Sequence, residues 1–124
     1  MNTALAVFIG GGLGSLARFG VGRWMQFVLP VTFPYGTLMS NILSSLIVGL
    51  FVGVSSGKIE NDNPWRFLIV VGFCGGFSTF STFSAETFDL FRNGMFFNGG
   101  INIVANLVTC LFMIGVGIWI GKLF

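Results

Sequence analysis

Four apolar runs, approximately residues 4–29, 35–55, 64–91 and 97–124, take up almost the whole chain. Each approaches or exceeds the roughly 20 residues that an α-helix needs to cross the hydrocarbon core of a bilayer. No segment is left over for a soluble domain, so the chain reads as one all-α membrane domain of four spans over residues 1–124. Composition agrees: 54% of the residues are apolar, 8% are charged, and the mean hydropathy is +0.91. A soluble domain of this size has too little interior to hide so much apolar surface. Met1-Asn2-Thr3 lacks the positive n-region of a signal peptide, and the apolar run that follows continues too far for a cleaved segment, so it is read as the first span. Pro30 and Pro34 punctuate the first connection, Ser56 to Asn63 forms a polar second loop, and Arg92-Asn93-Gly94 makes a tight third turn. Trp24, Tyr35, Trp65 and Trp119 fall near the span ends, where amphipathic rings prefer the interface.

One stretch breaks the pattern. Gly72-Phe73-Cys74-Gly75-Gly76-Phe77-Ser78-Thr79-Phe80-Ser81-Thr82-Phe83-Ser84 places glycines and clustered hydroxyls inside the third span. Hydrocarbon tolerates irregular backbone only where protein or a water-filled path satisfies it, so this span is expected to break near Gly75–Thr79 and to carry the functional site. Gly75-Gly76 can adopt backbone conformations closed to other residues and expose carbonyls to a ligand. Phe80 and Phe83, three apart on the helix that follows, project toward one side. Their ring edges carry partial positive charge and can contact an anion weakly, although ordinary lipid-facing bulk is the alternative for any Phe stripe.

The remaining intramembrane polar residues are few. Asn41 sits among Leu38, Met39, Ile42 and Leu43, where its amide must find partners. Asn102, Asn106 and Cys110 recur every four residues and share one face of the fourth span, as interhelical glue or as a wetted path. Arg18 either lines an aqueous vestibule or snorkels to the headgroups with Arg23. Gly10, Gly12, Gly14 and Ala17 match a loose dinucleotide pattern, but no βαβ unit surrounds them. Gly10 with Gly14 and Gly11 with Ser15 fit close helix packing instead. Cys74 and Cys110 read as reduced, buried thiols. Charge gives no orientation: Lys58, Arg66 and Lys122 fall on one side, Arg18, Arg23 and Arg92 on the other. Such a chain can insert both ways, which permits an antiparallel dimer of one sequence; the alternative is that Arg18 and Arg66 lie too deep to count and a bias is hidden. With no His, no metal set and no paired carboxylates in register, an enzyme is not expected, nor is a nucleic-acid partner. A small proton-coupled exporter would need a central acidic residue. Glu86 lies toward the end of the third span, with Asp89 and Arg92 close behind, and its expected role is a cap or an ion pair.

The string Gly75-Gly76-Phe77-Ser78-Thr79-Phe80-Ser81-Thr82-Phe83 closely resembles the signature of the Fluc, or CrcB-type, fluoride channels. Gly11-Gly12 through Arg18-Phe19, Gly36-Thr37-Leu38 with Asn41, and Glu86 after the third-span string extend the resemblance along the chain. It implies an antiparallel, dual-topology homodimer in the cell inner (plasma) membrane, with two pores that pass fluoride passively outward and lower its toxicity. By that resemblance Phe80 and Phe83 are pore rings contributed by different subunits, with Asn41, Ser81 and Thr82 beside them. Gly75 and Ser78 offer carbonyls to a structural Na⁺ at the dimer centre, Arg18 lies in the vestibule, and Asn102 and Asn106 form a polar track. Fluoride is small and strongly hydrated, so several hydrogen-bond donors in series must offset its dehydration.

Overall fold

The computed structural model describes residues 2–55 and 62–124. Most of the expected second loop, with Lys58, lies outside the described residues. The described chain is helical throughout, with no strand among the described residues: α1 (Thr3–Val28), α2 (Tyr35–Val54), a π-helical segment (Arg66–Cys74), α3 (Gly75–Phe77), α4 (Phe80–Arg92) and α5 (Phe96–Gly121). The π-helical segment, α3 and α4 together make one interrupted span, so among the described residues four helical units are long and apolar enough to cross a membrane.

Local chemistry sets the helix ends. The Asn2 side chain accepts the Ala4 N–H at 2.9 Å to cap α1, and Asn63 accepts the Trp65 N–H at 3.0 Å ahead of the third span. The Arg92-Asn93-Gly94 turn closes α4 through bonds from Gly94 N to the Phe91 carbonyl at 3.1 Å and from Met95 N to the Leu90 carbonyl at 2.8 Å. That pair of bonds needs a left-handed residue, supplied by Gly94 with φ 77°.

Two helix pairs form the bundle, α2 along α5 and α1 along the π-helical segment and α3. Both depend on backbones approaching closely through glycine. A methyl group added to Gly10 or Gly14 of α1 would collide with the Leu68 or Phe73 carbonyl of the third span. On the α2–α5 pair, one added to Gly53 would stand 2.5 Å from the Ile118 carbonyl, and one at Gly117 would stand 2.5 Å from that of Leu46. In lipid, where apolar burial gives little net drive, such small-residue contact is what holds helices together.

The break falls within the expected Gly75–Thr79 stretch, at its far end rather than at the glycines. Gly75 is helical, with φ −63° and ψ −36°, and α3 continues through Gly76 and Phe77. Gly76 serves packing, since a Cβ there would lie 2.5 Å from the Gly11 carbonyl. The extended residues are Ser78 (φ −82°, ψ 159°) and Thr79 (φ −154°, ψ 126°). Across them the third span changes neighbour: α3 packs on α1, whereas α4 packs chiefly on α5.

Candidate functional site

A two-residue extended segment inside a span leaves backbone groups that the helix would otherwise have paired, and Asn41 on α2 takes them up. Its Oδ1 accepts the Thr79 N–H at 2.9 Å, and its Nδ2 stands 3.5 Å from the Thr79 carbonyl. One amide thus replaces a missing rung of the helix. Thr79 in turn caps α4, its hydroxyl accepting the Thr82 N–H at 3.2 Å. On the other side of the break, the Cys74 carbonyl receives the Ser78 N–H at 2.9 Å, the Ser78 hydroxyl at 2.7 Å and the Ser44 hydroxyl at 3.1 Å.

The polar residues of α5 continue this network inward. Asn41 Nδ2 donates to Asn106 Oδ1 at 2.9 Å, and Asn106 Nδ2 donates to the Asn102 carbonyl at 2.8 Å and to Asn102 Oδ1 at 3.0 Å. Asn102 Nδ2 donates to Thr87 Oγ1 at 2.9 Å, and the Thr87 hydroxyl donates to the Phe83 carbonyl one turn back at 2.7 Å. Asn102, Asn106 and Thr87 are all buried. Between the two readings of the α5 stripe, Asn102 joins α5 to α4 as glue, while Asn106 does so to α2 and also borders open space.

That space is a groove of about 270 Å³ over the break, lined by Asn41, Ser78, Thr79, Phe80, Phe83 and Asn106 among others, with Cys110 further along α5. The Phe80 and Phe83 rings lie 5.7 Å apart and tilted by 51°. They are not equivalent: Phe83 is 8% exposed against the bundle, whereas Phe80 is 77% exposed and stands at the open side of the groove. The N-terminus of α4 begins at the same groove, so its partial positive end faces the space.

Other expected site residues stand apart. Ser81 and Thr82 occupy the exposed surface of α4, and Gly75 is exposed on α3 with open space where a side chain would go. Arg18 is half-buried on α1 and is not among the residues lining the groove. Among the described residues Glu86 is neither a cap nor an ion-pair partner: the Thr37 hydroxyl donates to its Oε1 at 2.6 Å, and Arg92 pairs with Asp89 at 2.8 Å instead. Thr37 lies one turn before Asn41 on α2, and Glu86 with Thr37 borders a second cavity of about 420 Å³ under the Pro30–Pro34 connection. Sequence reasoning missed Thr87 and the Thr37–Glu86 bond. The signal for Thr87 was present, because Phe83, Thr87 and Leu90 form the buried stripe of α4 and Thr87 is its one polar member.

A bundle of membrane-spanning helices with one span interrupted, its break stitched by a half-buried amide and opening on a polar groove, is the construction by which membrane proteins hold or pass small polar solutes. Residues 5–118 match the family described as CrcB-like protein, Camphor Resistance (CrcB), and the chain belongs to that family. It is a multi-pass membrane protein. Curated relatives named fluoride-specific ion channel FluC include one from Pyrococcus abyssi, 40% identical over 124 residues and covering 98% of each chain. Another, from Coxiella burnetii, is 40% identical over 124 residues and covers 99% of this chain and 96% of its own. A third, from Thermococcus gammatolerans, is 41% identical over 121 residues, covering 96% and 95%.

Proposed function

We propose that the chain is a fluoride-selective passive anion channel, not an enzyme, that lets fluoride leave the cell across the inner (plasma) membrane and so lowers its toxicity inside. The observation that carries this reading is the groove at the third-span break, where Asn41, the start of α4 and the Phe80–Phe83 pair converge in a chain 40% identical to named fluoride channels. Donors arranged along one path let an anion shed water in steps, and rings that contact it only by their edges do not trap it.

The working unit on this reading is an antiparallel, dual-topology homodimer with two pores. The supports are the balanced charge of the two sides and the exposed Phe80 ring, which leaves the groove open in a single chain. A second copy would close it, and each pore would then draw Phe83 from one subunit and Phe80 from the other, the 5.7 Å pair within one chain being divided between the two pores. Asn41 is the donor beside the rings, Ser81 and Thr82 supply nearby hydroxyls, Asn102 and Asn106 form the polar track, and Arg18 serves the vestibule.

A structural Na⁺ at the dimer centre belongs to the same proposal, and the residues fit it. In an unbroken helix the Gly75 carbonyl would accept the Thr79 N–H; that N–H goes to Asn41, which leaves the carbonyl available on an exposed residue. The extended Ser78 offers a second neutral oxygen of the kind hard cations prefer. Bound there, Na⁺ would supply fixed positive charge near the anion's path.

Expression in bacteria stripped of their own fluoride export should restore growth on fluoride-containing medium. Failure to restore it, with the protein present and folded in the membrane, would contradict the proposal.

A further inference from the structure

The side-chain amides linking α2, α4 and α5, buried at Asn102 and Asn106 and half-buried at Asn41, all point the same way. Asn41 donates to Asn106, Asn106 to Asn102, Asn102 to Thr87, and Thr87 to the Phe83 carbonyl. We propose that Thr87 is a positioning residue that sets the polarity of this chain and thereby holds the Asn41 amide in register with the helix break.

The argument follows from proton counting. A threonine hydroxyl has one proton to give. Thr87 gives its proton to the Phe83 carbonyl at 2.7 Å, the usual bond of a helical threonine to the residue one turn back, so toward Asn102 it can only accept. Asn102 must therefore turn its amino group to Thr87, which leaves its Oδ1 facing Asn106. Asn106 then offers its amino group to Asn102 and its Oδ1 to Asn41. Asn41 is left with its own Oδ1 free, and that is the atom the Thr79 N–H requires. Reversing any one amide would set amino group against amino group and oxygen against oxygen. Asn102 is 1% exposed and Asn106 5%, so little water is at hand to relieve the mismatch. Thr87 lines neither the groove nor the cavity under the Pro30–Pro34 connection, and acts only through the amides it orients.

With valine in place of Thr87, neither orientation of Asn102 finds a partner at that end, so the bias toward one polarity weakens to what the Asn102 carbonyl, 2.8 Å from Asn106 Nδ2, and the Thr79 N–H supply. Asn102 then samples both orientations, and Asn106 and Asn41 are held less firmly in register. Serine restores the single hydroxyl and the bias.

The test compares Thr87→Val and Thr87→Ser in detergent-solubilised, ¹⁵N-labelled protein, reading the Asn41 side-chain amide and the Thr79 backbone amide by NMR, and fluoride efflux from liposomes alongside. Thr87→Val should shift both resonances and speed exchange of the Thr79 amide about tenfold. It should also slow fluoride efflux about tenfold. Thr87→Ser should resemble the parent in every readout. Unchanged Asn41 and Thr79 signals in a folded Thr87→Val protein would overturn the proposal. Should that variant not fold, Thr87→Val with Asn102→Leu replaces both partners by apolar groups and must shift the same two signals. The effect on flux rests on the channel reading, whereas the resonance shifts do not. Moved resonances with no fluoride efflux from the parent would therefore sink the channel and leave the role of Thr87 standing.

Discussion

Asn41 carries two duties that ordinarily fall to different residues: it completes the hydrogen bonding of a broken helix, and it stands at the groove beside the Phe pair. Asn41→Leu keeps approximate bulk and removes both. The Thr79 N–H is then left without its acceptor, at a cost of about 1–3 kcal/mol, so the variant should unfold at lower temperature in detergent and lose fluoride flux. Full flux from that variant would reduce Asn41 to packing. The aromatic pair makes a different prediction, because Phe83 packs against the bundle while Phe80 projects outward. Replacing either with Ile deletes the ring edge and should slow fluoride about tenfold with the fold kept, as read by efflux rate and by size-exclusion profile. Phe83→Ile should also lower stability, and Phe80→Ile should leave the single-chain core intact.

At the scale of elements, the bundle depends on glycines at four-residue spacing, and the four spans with their close-packing Gly10 and Gly14 were readable because both follow from periodicity within one helix. Gly14→Val should prevent α1 from seating on the third span and abolish a folded species in a thermal melt. Gly12→Ala, which faces open space, should melt like the parent. The break was readable as a region and not as a position. Glycine permits irregular backbone without requiring it, and here Gly75-Gly76 stay helical while Ser78 and Thr79 extend, because α1 claims Gly76 and Asn41 claims Thr79. The same limit hid two other features. Glu86 looked like a partner for nearby charge, yet its partner Thr37 sits 49 residues earlier on a different helix. Thr87 stands out only once α5 brings Asn102 against it. Sequence spacing reports what a helix face contains; only the neighbouring helix decides what that face does.

At the scale of the whole molecule, the proposed channel requires two copies of one chain in opposite orientations. Reporter tags on the C-terminus should be found on both sides of the membrane in comparable amounts, since positive charge does not favour either side. Adding two lysines to one connection should bias insertion and, by starving the dimer of one orientation, reduce fluoride export. A single orientation in the unmodified protein would contradict antiparallel assembly. Passive conduction remains the central claim, and its direct test is efflux of fluoride and chloride from liposomes holding the purified chain, followed with ion-selective electrodes. K⁺ and valinomycin carry the compensating charge. Rapid fluoride efflux that waits for valinomycin, with chloride retained, is the predicted result. Fluoride retained by vesicles containing folded protein, or lost at the same rate as chloride, would contradict the account.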